Sequence, residues 1–133
     1  MFTKRKLTRD DASYLSKLVD EVLHTSGDST VADTVLDLIA QASILPEGAR
    51  DKNYVELNDV VTYEIAESGS RQVVTLVEPR EADPRAARVS ILTPVGLALI
   101  GVKIGNNSQV ALPSGKTQKI KIVAAEPQWL PAA

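Results

Sequence analysis

The chain has 133 residues, of which 44% are hydrophobic and 24% are charged, a composition that is typical of globular proteins and excludes collagen and long disordered tracts. Its formal net charge is −2, with 6 basic and 8 acidic residues in positions 1–50 and 9 of each in positions 51–133. Phosphate binding needs clustered Lys and Arg, so we expect no direct sequence-specific nucleic-acid binding.

Cysteine is absent from the chain, which excludes disulfides, thiolate-bound zinc and a thiol nucleophile. The first eleven residues have no apolar segment typical of a signal peptide, and no stretch approaches the roughly 20 apolar residues of a membrane span. We therefore expect a cytoplasmic protein with no membrane partner. The charged run Lys4-Arg5-Lys6 is interpreted as a solvated terminus.

Residues 8–43 predict two helices. Thr8 with Asp11 three residues later resembles a capping box, and an apolar stripe follows at helical spacing. Thr30 with Asp33 begins a second striped segment in the same way. The polar turn between them consists of His24, Thr25, Ser26, Gly27 and Asp28. Two striped helices with so short a connection predict an antiparallel hairpin, with arms of about 15 residues and roughly 22 Å. His24 is interpreted as a cap on the first helix, because one imidazole makes no metal site.

The pattern changes near residue 50, after Pro46-Glu47-Gly48, and we place a domain boundary there, between residues 1–50 and 51–133. Alternating β-branched residues predict strands over 60–65, 72–77, 88–92, 108–112 and 116–124. A proline at residue 94 and a glycine at residue 101 enclose one short helix. The sequence therefore predicts an α+β protein in which a short helical hairpin precedes an antiparallel sheet with one short helix.

Three segments of the second half resemble a known family. They are Val77-Glu78-Pro79-Arg80-Glu81-Ala82-Asp83-Pro84, the run from Val89 through Pro94-Val95-Gly96 to Gly105, and Leu112-Pro113-Ser114-Gly115-Lys116. Together they resemble the C-terminal domain of GreA/GreB transcription factors over about residues 53–126. With so short a helical segment before it, the Pro-Val-Gly motif is most similar to the Rnk branch, named for regulation of nucleoside diphosphate kinase. The resemblance implies an FKBP-like sheet domain after a short coiled coil.

The resemblance also implies a mode of action. In this family the FKBP-like domain docks on the rim of the secondary channel of RNA polymerase, and the hairpin projects into the channel. The polymerase-binding residues carried over from the family are Leu92, Thr93, Pro94, Val95 and Gly96. Cleavage-stimulating members carry acidic residues at the hairpin tip, which help to hold a catalytic magnesium.

The sequence departs from that pattern in two places. Its tip has one acid, Asp28, and its arms are shorter than those of the cleavage factors, so the tip should stop short of the active centre. Among the contact residues, cleavage factors usually carry Asp or Asn where this chain has Leu92. We therefore expect a monomeric regulator that occupies the channel entrance and competes with GreA and GreB. No transcript cleavage, catalytic residue, metal site or cofactor is expected, and any effect on nucleoside diphosphate kinase would be a downstream phenotype.

Two alternatives remain open. A cleavage-stimulating elongation factor would use the same fold with an active tip. The other alternative is a prolyl isomerase or interaction module of the FKBP type. An isomerase pocket is lined by aromatic side chains, whereas residues 51–133 contain only two tyrosines and one tryptophan, which disfavours the isomerase. An interaction module that dimerises through the hairpin would differ from a monomer in size-exclusion chromatography.

Overall fold

The chain begins with a helix pair and continues into a sheet unit, in a computed structural model that describes residues 4–25, 27 and 29–127. The predicted tip residues Ser26 and Asp28 lie outside the described residues. In chain order the elements are β1 (Lys6–Leu7), α1 (Arg9–Thr25), α2 (Ser29–Gln41), β2 (Ser43–Ile44), β3 (Asp59–Ile65), β4 (Arg71–Val77), β5 (Arg88–Ser90), α3 (Pro94–Leu99), β6 (Asn107–Ala111) and β7 (Thr117–Pro127).

The helix pair is closed at its base by two short strands. Strand β1 runs parallel to β2, with Lys6 opposite Ser43 and Leu7 opposite Ile44. Because the chain leaves and returns at the same place, α2 must run back along α1. At 1.5 Å per residue the helices are about 26 Å and about 20 Å long. The capping residue predicted for α1 is present, since the backbone N–H of Asp11 donates to Thr8 Oγ1 at 3.1 Å.

The larger sheet among the described residues has five strands in the order β5-β4-β3-β7-β6. The prediction of a purely antiparallel sheet is wrong, because β5 pairs with β4 in parallel, with Leu76 opposite Val89. The chain crosses from the end of β4 through two single 3₁₀ turns, Pro79–Glu81 and Pro84–Ala86, and so re-enters the sheet in the same direction. The other strand pairs are antiparallel. The protein is thus α+β with a mixed sheet.

A single hydrophobic cluster joins the two parts of the chain. Helix α3 contributes Leu99, and the residue after it, Ile100, is equally buried. Strand β7 contributes Ile120 and Ile122 from the centre of the sheet. From the helix pair, Leu15, Leu18 and Val19 of α1 belong to the same cluster. The helix pair and the sheet therefore share one core, and their relative position is set by packing.

None of the helices in the described part of the chain combines the length and apolar character needed to cross a bilayer.

Candidate functional site

The predicted polymerase-binding residues form the turn that starts α3. Thr93 caps this helix, because its Oγ1 accepts from the backbone N–H of Gly96 at 3.1 Å and donates to Ser90 O at 2.7 Å. Pro94 occupies the first helical position, where its missing N–H costs no hydrogen bond. The backbone N–H of Leu92 donates to Ser90 Oγ at 3.1 Å. The turn is thus held rigidly against the end of β5.

Gly96 is required at this turn by a close approach of two backbone segments. A Cβ at this position would lie 2.2 Å from Ser90 O and 2.8 Å from Ile91 Cα. Both atoms belong to the backbone and cannot move away as a flexible side chain could. The absence of a side chain at Gly96 therefore lets the start of α3 pack directly against the end of β5, and this contact fixes the position of the turn relative to the sheet.

Four of the five predicted contact residues have accessible surface. Pro94 is exposed, Leu92, Thr93 and Val95 are half-buried, and Gly96 is buried. Gly96 therefore positions the turn and has no surface with which to touch a partner. Leu97 is half-buried, whereas Leu99 and Ile100 are buried.

The described tip residues of the helix pair end α1. His24 and Thr25 lie in its last turn, where His24 Nδ1 is 2.8 Å from Asp20 O and Thr25 Oγ1 donates to Glu21 O at 2.7 Å. Gly27 follows in a left-handed conformation, with φ of 65°, and its N–H donates to Val22 O. The capping role predicted for His24 fits this geometry. The exposed carboxylates of Asp20 and Glu21 lie one turn below.

Arg5 holds the opposite end of α3, a role that the sequence does not predict. Its Nη1 donates to Leu97 O and to Ile100 O, both at 2.7 Å. Burial lowers the pKa of Arg5 to about 10, so the guanidinium remains charged at neutral pH. The interpretation of Lys4-Arg5-Lys6 as a solvated terminus is therefore wrong for Arg5. Lys6 is also engaged, 3.6 Å from Asp51 Oδ2 and 4.9 Å from the centroid of the Tyr54 ring.

A second unpredicted feature is a group of three carboxylates where α1 meets the sheet unit. Asp11 Oδ2 accepts from the backbone N–H of Leu57 at 3.1 Å, and Asp59 Oδ2 accepts from that of Glu56 at 2.8 Å. Arg50 pairs with Glu56 at 2.7 Å. This group lies at the junction of the two parts of the chain. Neither these carboxylates nor any other three acidic or histidine side chains among the described residues are arranged to hold a metal ion.

Burial raises the pKa of both aspartates in this group. For Asp59 the pKa is raised to about 6, chiefly by burial, with the hydrogen bond from Glu56 opposing the shift and the charge of Glu56 adding to it. Burial also raises the pKa of Asp11, against the hydrogen bond from Leu57. Both carboxyl groups are therefore easier to protonate than a solvated aspartate.

A groove of about 490 Å³ separates α2 from α3 and β6. Thr30, Thr34 and Leu38 line it along α2, and Leu92 and Pro94 line it on the opposite side. The start of α2 and the predicted contact turn are thus two walls of one groove.

Comparison with known proteins gives a consistent result over the second half of the chain. Residues 50–127 match the family described as "Transcription elongation factor, GreA/GreB, C-term". A transcription elongation factor GreA of Chloroflexus aggregans is 35% identical over 78 residues, which are 59% of this chain and 50% of the relative. The GreA of Leuconostoc mesenteroides is 32% identical over 90 residues, 68% of this chain and 56% of the relative. The chain thus spans about half the length of these curated relatives.

One solved structure is similar over nearly its whole length. It is the prokaryotic transcription elongation factor GreA/GreB from Nitrosomonas europaea, with a TM-score of 0.70 and 24% identity over 92% of this chain and 98% of that one. At this identity the likeness shows the fold. The expectation that the chain has no part in an enzymatic reaction is contradicted by the curated relatives, which are named GreA, a factor that stimulates transcript cleavage by RNA polymerase.

Replacing Gly96 by Ala is expected to destabilise the protein by about 1–3 kcal/mol, the usual cost of overpacking. The new Cβ must displace Ser90 O, which also accepts from Thr93. The free energy of unfolding from urea denaturation measures the effect. The matched control is Val95→Ala, which removes atoms from the same turn and should cost less. A Gly96→Ala variant as stable as the wild type would contradict the close approach.

Asp59 is expected to make the protein less stable as pH rises from about 4 to about 6. In that interval the folded carboxyl still holds a proton that the unfolded one has lost, so the free energy of unfolding falls with pH. Asp59→Asn removes this titration while its amide oxygen can still accept from Glu56.

The measurement is urea denaturation of both proteins at pH 4, 5, 6 and 7. The stability of Asp59→Asn relative to the wild type should increase up to pH 6 and then level off. Asp33→Asn, at an exposed position on α2, is the control. A constant difference between Asp59→Asn and the wild type would show that the shift is absent.

Proposed function

Because the chain belongs to the GreA/GreB family of transcription elongation factors, we propose that it binds RNA polymerase and stimulates cleavage of the transcript. The observation that carries the proposal is the family match over residues 50–127. Curated relatives named transcription elongation factor GreA support it. The helix pair and sheet unit supply the two parts that such a factor needs, one to reach and one to dock.

The docking contact in this proposal is the turn Leu92–Val95. Pro94 is exposed at its apex, and the neighbouring side chains are half-buried, so a partner can cover them without unfolding the helix. The turn is rigid because Thr93 bonds both Ser90 and Gly96. A preformed contact surface loses little conformational entropy on binding.

We further propose that the sheet unit is FKBP-like and that the chain is nearest to the Rnk branch. Support comes from the motif Pro94-Val95-Gly96 at the start of α3 and from the shortness of the helices, 17 and 13 residues. An effect on nucleoside diphosphate kinase would then follow from altered transcription. No separate kinase-binding surface is needed.

The carboxylates near the tip are the groups through which the helix pair would act. Asp20 and Glu21 are exposed in the last turns of α1, and Asp28 follows in the sequence. Carboxylate oxygens are suitable ligands for magnesium, so these residues fit such an ion when it is shared with the polymerase. A bound magnesium would supply the activation of water for hydrolysis. In this proposal the helix pair brings one or two carboxylates to the magnesium ion that it shares with the polymerase.

Pro94→Asp is expected to weaken binding to core RNA polymerase about tenfold, which corresponds to about 1.4 kcal/mol. An aspartate is compatible with the first turn of a helix, so the fold should be preserved while a charge is placed on the proposed contact. Binding is measured by fluorescence anisotropy of labelled full-length protein. Pro113→Asp, at another exposed turn, is the control. If the two variants bind equally well, the docking assignment is wrong.

The wild-type protein is expected to accelerate cleavage of labelled transcripts in backtracked polymerase complexes. The combined variant Asp20→Asn, Glu21→Gln and Asp28→Asn should reduce this acceleration at least about tenfold, since a contact to a charged group is worth about 1.5–3 kcal/mol. Its affinity for polymerase should be unchanged. Glu67→Gln, in the exposed turn after β3, is the control. Tight binding of the wild type with no acceleration would contradict the cleavage activity.

A further inference from the structure

The groove between α2 and the α3–β6 unit has the size of a small-molecule site. Its volume of about 490 Å³ lies within the range usual for ligand pockets. Both walls carry apolar side chains, Leu38 on the α2 side and Leu92 and Leu97 on the side of the contact turn and α3. Arg5 and Ser108 also line the groove. Apolar walls with a few convergent polar groups are the usual composition of a small-molecule site.

Arg5 brings a positive charge to this groove without an acidic partner among the described residues. Its Nη1 is used by Leu97 O and Ile100 O, while its Nε and Nη2 groups donate to no atom in the described part of the chain. Arg5 is half-buried, and a guanidinium that is partly removed from water is normally paired with a carboxylate, because an uncompensated charge is costly to bury. The hydrogen bonds to the α3 carbonyls offset part of this desolvation cost, and a bound anion would offset the rest by pairing with the charge.

Ser108 brings a second unpaired polar group to the same groove. This side chain is 2% exposed, and its Oγ has no hydrogen-bond partner among the residues that the structure describes. Buried hydroxyl groups in native proteins are nearly always bonded, so an unpaired one calls for a bonding partner outside the protein. Arg5 and Ser108 line the same groove, and an anion that accepts hydrogen bonds from both would satisfy each of them.

Asp37 limits the charge of that group. It lies on the α2 side of the groove and is exposed, so it opposes ligands with several negative charges. A single carboxylate suits one guanidinium fork, and the apolar side chains suit a hydrocarbon body. A polyphosphate could also pair with the guanidinium, but Asp37 opposes its charge and it has no hydrocarbon body to pack on the apolar side chains.

We propose that this groove binds a small monocarboxylate with an apolar body, whose carboxylate is held by Arg5 and Ser108. The body packs on Leu38, Leu92 and Leu97. The ligand would lie between the helix pair and the contact turn, so its binding would stabilise their relative position. This proposal concerns the isolated protein and does not depend on the proposed action on polymerase.

The test is titration of the full-length ¹⁵N-labelled protein with hexanoate, followed by amide chemical shifts. Hexanoate is expected to give saturable shifts at amides lining the groove. Hexanol, which has the same body without the charge, should bind at least about tenfold more weakly. Inorganic phosphate, which has charge without the body, should give no saturable shift there. Equal binding of hexanoate and hexanol, tighter binding of phosphate, or no saturable shift with hexanoate would overturn the proposal.

Ser108→Ala is the decisive variant because it removes an unpaired hydroxyl and leaves the fold intact. It should weaken hexanoate about fivefold, the usual worth of one hydrogen bond. Arg5→Lys keeps the charge but loses the planar fork, and should also weaken binding. Ser114→Ala, at an exposed turn, is the matched control and should bind as the wild type does. Unchanged affinity in Ser108→Ala would remove Ser108 from the site and overturn the assignment.

Discussion

Strand β1 connects the helix pair to the sheet unit, because its backbone forms hydrogen bonds in two directions. Lys6 donates to Gly101 O at 2.9 Å, after α3. On the other side, the carbonyl of Arg5, just before β1, accepts from the backbone N–H of Ser43, and the carbonyl of Leu7 accepts from that of Leu45, each at 2.9 Å. A two-residue strand has little stability of its own, so these bonds persist only inside the shared core. The positions of the helices and of the contact turn both depend on this junction.

The side chains at this junction extend the same connection. Arg5 reaches the carbonyls of Leu97 and Ile100, and Gly101 leaves room for β1, since a Cβ there would lie 2.8 Å from Leu7 Cδ2. Asp11 makes a second attachment across 46 positions of sequence, to Leu57. Both attachments bury a charged or chargeable group. Desolvation of these two groups offsets part of the stability that their hydrogen bonds contribute.

The sequence predicts the elements with strong local patterns and misses those that depend on distant partners. The stripes of α1 and α2, the alternation in β3 and β4, and the proline at the start of α3 are local signals, and each element is present within a few residues of its predicted bounds. Strands β1 and β2 are too short to have a period, and the parallel pairing of β5 depends on how the chain crosses over. Arg5 is missed for the same reason, since its partners lie more than 90 positions away.

The closed base of the helix pair has a consequence for how this architecture can vary. Because Lys6 lies opposite Ser43, the chain enters and leaves the pair at one point, and the described residues of positions 20–30, at the far end of the pair, lie outside the shared core. Whole turns can be inserted into or deleted from both helices near the tip without moving any residue of the sheet. The length of the helix pair can thus change independently of its attachment to the sheet, and the turn at the start of α3 stays in place when it does.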